Sequence, residues 1–144
     1  MPYVIDVMRE PISCGPEILV TEAAKTMKKN RIGSIIVVDG NEQVIGLITE
    51  RDLVHRVLGE NRDPKTTQIE EVMSKNITTV GPYVSLIEAL KIMRKNDVRR
   101  LPVTRNKKLV GLLTEREIAT AVIRASDEQL KLSRLKDLGE YLIP

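Results

Sequence analysis

Apolar residues recur along the chain in two alternating periods, one typical of helices and one typical of strands. Helical spacing follows a Ser-x-x-Glu capping pattern at Ser85 and stops near Asn96, and an earlier stretch repeats it up to Asn30. The β-branched runs at 35–38 and 44–48 flank an Asp-Gly-Asn turn, so they predict a hairpin of largely buried strands. A second helical pattern follows the hairpin. The predicted order is strand, helix, strand, strand, helix.

This whole pattern occurs twice. Residues 4–58 align with residues 69–123 at an offset of roughly 65 positions, and about a third of the aligned residues are identical. Four blocks recur in the same order: Val7-Met8 with Val72-Met73, Gly15-Pro16 with Gly81-Pro82, EAAKTMKKN with EALKIMRKN, and GLITERDL with GLLTEREI. We interpret the chain as repeat 1 (1–62), repeat 2 (63–124) and a C-terminal tail (125–144).

One repeat alone would leave a face of its sheet in water, because helices on one side cover only that side. We therefore expect an α/β (α+β) fold in which the two βαββα repeats pair through their sheets around a pseudo-twofold axis. Clefts that suit small ligands form where such repeats meet. In the tail, the spacing of Leu130, Leu135, Leu138 and Leu142 predicts an amphipathic helix that packs on this body or on a partner.

Length and composition favour one soluble, cytoplasmic unit. The 144 residues are 42% hydrophobic, and no apolar run approaches the roughly 20 residues that a membrane span requires. The N-terminus lacks the basic-then-apolar pattern of a signal peptide. We expect no membrane insertion.

Charge and the rare residue types limit the chemistry further. The net charge is only +3, basic residues alternate with acidic ones, and the only aromatic residues are three tyrosines, which argues against nucleic-acid binding. A single cysteine, Cys14, and a single histidine, His55, exclude an internal disulfide and a Cys/His metal cluster. We assign Cys14 to packing and His55 to the surface. No base–nucleophile pair is evident, so we expect no catalysis.

The motif Gly-x-x-Thr-Glu-Arg-acid, at 46–52 and 111–117, is the best candidate for chemistry. It places a hydroxyl, a guanidinium and a carboxylate where a strand ends and a helix begins, and free N–H groups at a helix N-terminus attract phosphate. The carboxylate there could accept both hydroxyls of a ribose. The alternative is structural, since Thr49 and Thr114 could simply be N-caps while Asp52 and Glu117 favour the helix dipole.

The combination of EALKIMRKN, RRLPVT and GLLTEREI, with GLITERDL in the first copy, resembles the cystathionine-β-synthase (CBS) domain family over about residues 1–124. Members of this family occur as tandem pairs. The resemblance implies a module that binds adenosine-containing ligands such as AMP, ADP, ATP or S-adenosylmethionine. It implies neither catalysis nor a required cofactor or metal.

The resemblance also implies two clefts, each built from both repeats. One would use Thr49, Arg51 and Asp52 with Val84, Val98 and Arg99 opposite, and the other Thr114, Arg116 and Glu117 with Ile18 and Ile32 opposite. Asp52 is the leading candidate. Glu117 departs from the family's usual aspartate, and the Gly33-Ser34 pair lacks charge, so the second cleft matches the pattern less well, although it is the cleft with the nearer Arg99-Arg100 pair.

Arg99 and Arg100 precede the strand LPV, where related nucleotide-binding pairs carry basic residues that hold phosphate. Guanidiniums form charge-assisted bonds with phosphate oxygens, although two solvated surface arginines are the alternative. We therefore rank phosphorylated adenosines above S-adenosylmethionine.

The leading hypothesis is a stand-alone pair that forms a disc-shaped homodimer and reports adenylate or cofactor status to a regulated enzyme or transporter. The alternative is a structural interaction module whose clefts are vestigial. Glu117 and the uncharged Gly33-Ser34 pair favour the alternative.

Overall fold

Two similar α+β units follow one another along the chain. The computed structural model describes residues 2–142, with side chains up to residue 137. In chain order the elements are α1 (Val4–Val7), β1 (Ser13–Cys14), α2 (Val20–Asn30), β2 (Ser34–Val38), β3 (Val44–Thr49), α3 (Glu50–Asp52), a π-helical turn (Leu53–Leu58), a 3-10 turn (Ile69–Glu71), α4 (Leu86–Lys95), β4 (Arg100–Arg105), β5 (Lys108–Thr114) and α5 (Glu115–Leu142). The predicted mixed fold of two repeats is confirmed.

The sheets of the two repeats differ by one strand. In repeat 1, β1 lies parallel to β2, which pairs antiparallel with β3 in the predicted hairpin. In repeat 2 only β4 and β5 form a sheet, and the expected first strand is reduced to a single parallel bridge between Val80 and Val103. The reason lies at Pro102: the amide of Ile36 donates to Ile12 in repeat 1, and the equivalent Pro102 has no N–H to donate.

The predicted helices form where their caps and apolar spacing place them. The Ser85 hydroxyl accepts a hydrogen bond of 3.2 Å from the amide of Glu88 at the start of α4. Helix α2 ends at Asn30, and Arg31 then takes the left-handed conformation with φ of 53°. Both helices bury a stripe that repeats between them: Val20, Ala23 and Met27 in α2, and Leu86, Ala89 and Met93 in α4.

The first segment of each repeat packs on the other repeat. The amides and carbonyls of Arg9 and Leu112 exchange two hydrogen bonds of 3.0 Å, and the Val4 amide donates to Val84. Ser74 and Leu47 form the equivalent exchange, at 2.9 and 3.0 Å. Two cores result, each mixed from both repeats: Ile69, Val72 and Met73 join the core built on α2, and Val4 joins the core built on α4.

In this exchange, two methionine side chains pack directly on glycines of the opposite repeat. A Cβ atom added to Gly46 would overlap the sulfur of Met73, and one added to Gly111 would overlap the sulfur of Met8. The recurring Val-Met and Gly-x-x-Thr blocks therefore contact each other across the repeats. A Cβ atom at either strand position would force the methionine side chain to move, because it lies directly on the backbone.

The helices that end the two repeats differ most. After α3 the chain widens into the π-helical turn, where the amide of Gly59 donates to Val54 at 2.8 Å. Helix α5 instead continues from the end of β5 for 28 residues. None of the helices in the described part of the chain is long and apolar enough to cross a membrane.

The tail is helical as predicted but does not pack on the body where its side chains are described. Leu130, Leu132 and Leu135 are 59–66% exposed. The side chains of Leu138 and Leu142 lie outside the described residues. The expected contact of Leu130 and Leu135 with the body is therefore absent from the described part, because α5 leaves the body after Ile118 and Ala121.

The methionine–glycine contact predicts a position-specific loss of stability. Gly46→Ala should lower the free energy of unfolding by about 1–3 kcal/mol, because the added methyl overpacks against Met73. Urea denaturation measures the change. Gly40→Ala is the matched control, since a Cβ there meets nothing within 4 Å. Equal stability of the two variants would contradict the proposed steric requirement.

Candidate functional site

A cavity of about 270 Å³ lies where the two repeats meet. This volume is just below the range of about 300–1,000 Å³ typical of small-ligand pockets. We call it the arginine cavity, and it is lined by Arg9, Glu10, Ile12, Arg31, Ile32, Gly33 and Ser34 from repeat 1 and by Arg99, Arg100, Leu112, Thr114, Glu115 and Arg116 from repeat 2. Both repeats are needed to form it.

Backbone hydrogen bonds hold the cavity wall to the helices that follow the hairpins. The Glu115 amide, the first of α5, donates to the carbonyl of Arg99 at 3.1 Å. The Glu50 amide makes the equivalent bond to Gly33 at 3.0 Å. A Cβ on Gly33 would lie 3.3 Å from Nη2 of Arg100, so the glycine leaves room for that guanidinium beside the backbone.

The cavity carries a surplus of positive charge. Its lining includes five arginines and two glutamates. Two of the arginines have distant acidic partners: Arg99 lies 4.0 Å from Glu115, and Arg9 lies 3.9 Å from Glu117. Among the residues that the structure describes, no carboxylate lies within 4.0 Å of the guanidiniums of Arg31, Arg100 and Arg116. Such a concentration of guanidiniums is suited to an anion.

The second copy of the Thr-Glu-Arg-acid motif borders this cavity. The amide of Thr114 donates to Oε2 of Glu117 at 2.9 Å, and the hydroxyl of Thr114 donates to the same oxygen. Glu117 lines a second cavity of about 270 Å³ with Asp6, Val7, Arg116, Thr120, Ala121 and Arg124. Arg116 lines both cavities, so it forms the wall between them.

The first copy of the motif forms a closed capping arrangement around Asp52. Oδ2 of Asp52 accepts from the amide of Thr49 at 2.9 Å and from its hydroxyl at 3.0 Å, and the Ser74 hydroxyl lies 3.3 and 3.4 Å from the two carboxylate oxygens. Arg56 approaches to 3.7 Å on the same helix. Asp52 is 7% exposed and lines neither cavity. The capping alternative therefore describes what this carboxylate does in the structure.

The structure brings together part of the predicted site. The arginine cavity includes Ile32, Arg99, Arg100, Thr114 and Arg116. Thr49, Arg51, Asp52, Val84, Val98 and Ile18 line neither cavity, and Glu117 lines only the second. Val84 and Val98 pack against the α4 core, and Ile18 packs against the α2 core. We placed Arg99 opposite Thr49 but took the Arg99-Arg100 pair to be nearer to the Glu117 cleft, and Arg99 lies on the side of Thr114.

Several lining residues were missed by the sequence pattern. Arg9 and Glu10 reach the cavity because the first segment of repeat 1 crosses to β5, a crossing that no spacing reveals. Arg31 enters through the left-handed end of α2. Ser34, which we named with Gly33 in the second cleft, is 6% exposed and starts β2 beside the cavity. Only the basic character of Arg31 at the end of a predicted helix could have indicated it in advance.

Comparison with known proteins decides the family. A family model for the CBS domain matches residues 4–59 and 69–124. The chain belongs to the CBS-domain family. It is therefore a CBS pair, and the match indicates no catalytic family.

The relatives include proteins of several lineages. An uncharacterized 17.7 kDa protein of Acidianus ambivalens is 38% identical over 109 residues, which cover 75% of this chain but 65% of the relative. The chain thus spans less than two thirds of that relative's length. Hypoxic response protein 1 of Mycobacterium tuberculosis is 33% identical over 115 residues, 79% of this chain and 80% of the relative.

Solved structures share the fold. Hypoxic Response Protein I, crystallised with two coordinated zinc ions, superposes with a TM-score of 0.75 at 31% identity, covering 83% of this chain and 98% of that one. The CBS domain pair of protein MJ0100, solved with methylthioadenosine and S-adenosyl-L-methionine, has a TM-score of 0.76 at 27% identity, covering 84% and 99%. In the described part of this chain, no three His, Cys, Asp or Glu side chains lie close enough to hold a metal ion.

The contrast between the two motifs predicts unequal stability losses. Asp52→Ala should lower the free energy of unfolding by about 2 kcal/mol, because it removes the carboxylate that accepts from the Thr49 amide in the capping box of α3 and from the Ser74 hydroxyl. Glu117→Ala should cost about 1 kcal/mol, because Glu117 has only Thr114 and the distant Arg9. Urea denaturation compares them. A larger loss for Glu117→Ala would contradict the closed arrangement around Asp52.

The half-buried thiol of Cys14 packs against the α2 core. Burial, and secondarily the charge of Glu17, raises the pKa of Cys14 to about 11. At pH 8 the folded protein should therefore react with a thiol reagent roughly a hundredfold more slowly than the urea-unfolded chain, because only the thiolate is nucleophilic. The absorbance change of a chromogenic thiol reagent measures the reaction rates of the folded and the unfolded protein. Equal rates would contradict the raised pKa.

Proposed function

We propose that the chain is a regulatory sensor that binds a phosphorylated adenosine, AMP, ADP or ATP, in the arginine cavity. The observation that carries the proposal is the cluster of five arginines at the junction of the repeats. Charge-assisted bonds from guanidiniums are the usual means by which proteins hold phosphate oxygens. Residues Glu115 and Arg116 at the lining also begin α5, so the positive end of a long helix is directed at the same space.

The adenosine part of the proposal rests on the family and on the cavity's apolar residues. Ile12, Ile32 and Leu112 provide an apolar surface on which the flat purine ring can pack, beside the polar Thr114. The MJ0100 pair, similar in fold, was solved with two adenosine-containing ligands. Both of those ligands lack phosphate. The arginine surplus would repel the sulfonium of S-adenosylmethionine, so we rank phosphorylated adenosines above it.

Asp52 remains part of the proposal as the ribose acceptor of the other cleft, with Thr49 and Arg51 on its own repeat and Val84 and Val98 opposite. Its carboxylate is already shared between Thr49 and Ser74. A ribose would have to replace those donors, at a cost to the cap of α3. We therefore propose that the cleft on the Thr114 side fills first, with Glu117 beside it.

The output of the sensor is proposed to be another protein. We propose that the chain acts as a homodimer in the cytoplasm. The exposed leucines of α5 would contact a regulated enzyme or transporter. No catalytic step is proposed, since binding alone biases the equilibrium between conformations.

Calorimetry tests the proposal. We expect ATP, ADP or AMP to bind wild type, and Arg100→Ala to weaken binding about tenfold, because one charge-assisted bond is lost. Arg94→Ala, an exposed arginine that lines neither cavity, is the control and should bind like wild type. Absence of heat with every adenosine compound would overturn the proposal. Equal affinities of the two variants would show that the ligand does not bind in the arginine cavity.

A structural interaction module is the second candidate function. The closed capping arrangement of Asp52 and the exposed leucines on α5 favour it. Thermal unfolding separates the two functions, because a ligand at 100 times its Kd stabilises the folded state by about 2.7 kcal/mol. An unchanged Tm across adenine nucleotides, S-adenosylmethionine and methylthioadenosine would support the structural module.

A further inference from the structure

We infer that the arginine cavity takes its ligand as a free polyphosphate anion and selects against the magnesium complex of the same ligand. This inference rests on the proposed function for the adenosine part of the ligand. The phosphate part rests on the charges of the cavity alone. It concerns the ionic form that binds, which the family relationship does not specify.

The positive charges come from four separate places in the chain. Arg9 arrives with the exchanged first segment, Arg31 follows α2, Arg99 and Arg100 lead into β4, and Arg116 begins α5. Because these segments surround one cavity, an extended anion can contact several guanidiniums at once. A single phosphate would satisfy few of them, since each guanidinium prefers two oxygens.

The surplus is slightly larger on this side of the molecule than at the position related to it by the repeat. Arg9 corresponds to Ser74 and Arg31 to Asp97, whereas Glu10 corresponds to Lys75, so the related position has two fewer arginines and a smaller net positive charge. The two glutamates of the cavity, Glu10 and Glu115, are both exposed. Arg9, Arg31, Arg99 and Arg116 are exposed as well, and the two glutamates offset only part of their charge.

Magnesium would compete with these side chains for the same oxygens. In nucleotide sites Mg²⁺ is bound by phosphate oxygens together with one or two carboxylates, and it keeps several waters. Here the oxygens would face guanidiniums, and a divalent cation with its water shell would be placed among like charges. The free anion forms more direct bonds, because the five guanidiniums outnumber the two carboxylates of Glu10 and Glu115. The cavity therefore favours it.

The experiment titrates ATP and inorganic tripolyphosphate into the full chain, with EDTA and with saturating MgCl₂. Sodium chloride matches the ionic strength of the two buffers, because salt alone weakens such contacts. We expect Mg²⁺ to raise the apparent Kd of both probes about tenfold or more. Arg31→Asn and Arg116→Gln should reduce this magnesium effect to a few-fold, whereas the control Arg94→Ala should retain it.

Asn is chosen at position 31 because that residue has φ of 53°, which asparagine tolerates. The ratio of the two Kd values is unaffected by a general loss of folded protein, so a variant that is merely less stable keeps the wild-type ratio. Equal or tighter binding with Mg²⁺ would overturn the inference and leave the proposed function standing. Tripolyphosphate binding without any ATP preference would support the inference and overturn the adenosine proposal. Failure of both probes to bind would overturn both.

Discussion

The fold depends on the exchange of first segments between the repeats. Met8 on Gly111 and Met73 on Gly46 fix how closely the two repeats approach, because the sulfur atoms lie against backbone that has no side chain. Each core contains residues from both repeats, so neither repeat can bury its apolar surface alone. The cavity also depends on the exchange, because Arg9 lies in its wall only where the N-terminal segment runs along β5.

The two copies of the same motif have taken different roles through their neighbours. Asp52 forms a capping box with Thr49 and also has Ser74 and Arg56 within reach, so its carboxylate is surrounded by polar partners. The positions equivalent to Ser74 and Arg56 are Arg9 and Ala121, so Glu117 lacks the helix arginine and shares Arg9 with the arginine cavity. Asp52 therefore stabilises the start of α3, whereas Glu117 faces the second cavity.

Most of the fold could be predicted from the sequence because it is encoded locally. The apolar periods, the Ser85 cap and the duplicated blocks specify the helices, hairpins and repeats. What depends on distant contacts could not be predicted. The missing strand of repeat 2 follows from Pro102 facing a segment some 20 residues away, and the position of Arg9 in the cavity follows from the exchange. The residues named from the motif were the right types. Their neighbours across the repeats determined which of them share a cavity.

Helix α5 starts at the arginine cavity and continues without a break for 28 residues, whereas its counterpart in repeat 1 changes to a π-helical turn at Leu53 and ends at Gly59. At 1.5 Å per residue it is about 42 Å long. Because the helix is stiff, a small tilt where Glu115 and Arg116 meet the cavity would displace its far end by a much larger distance.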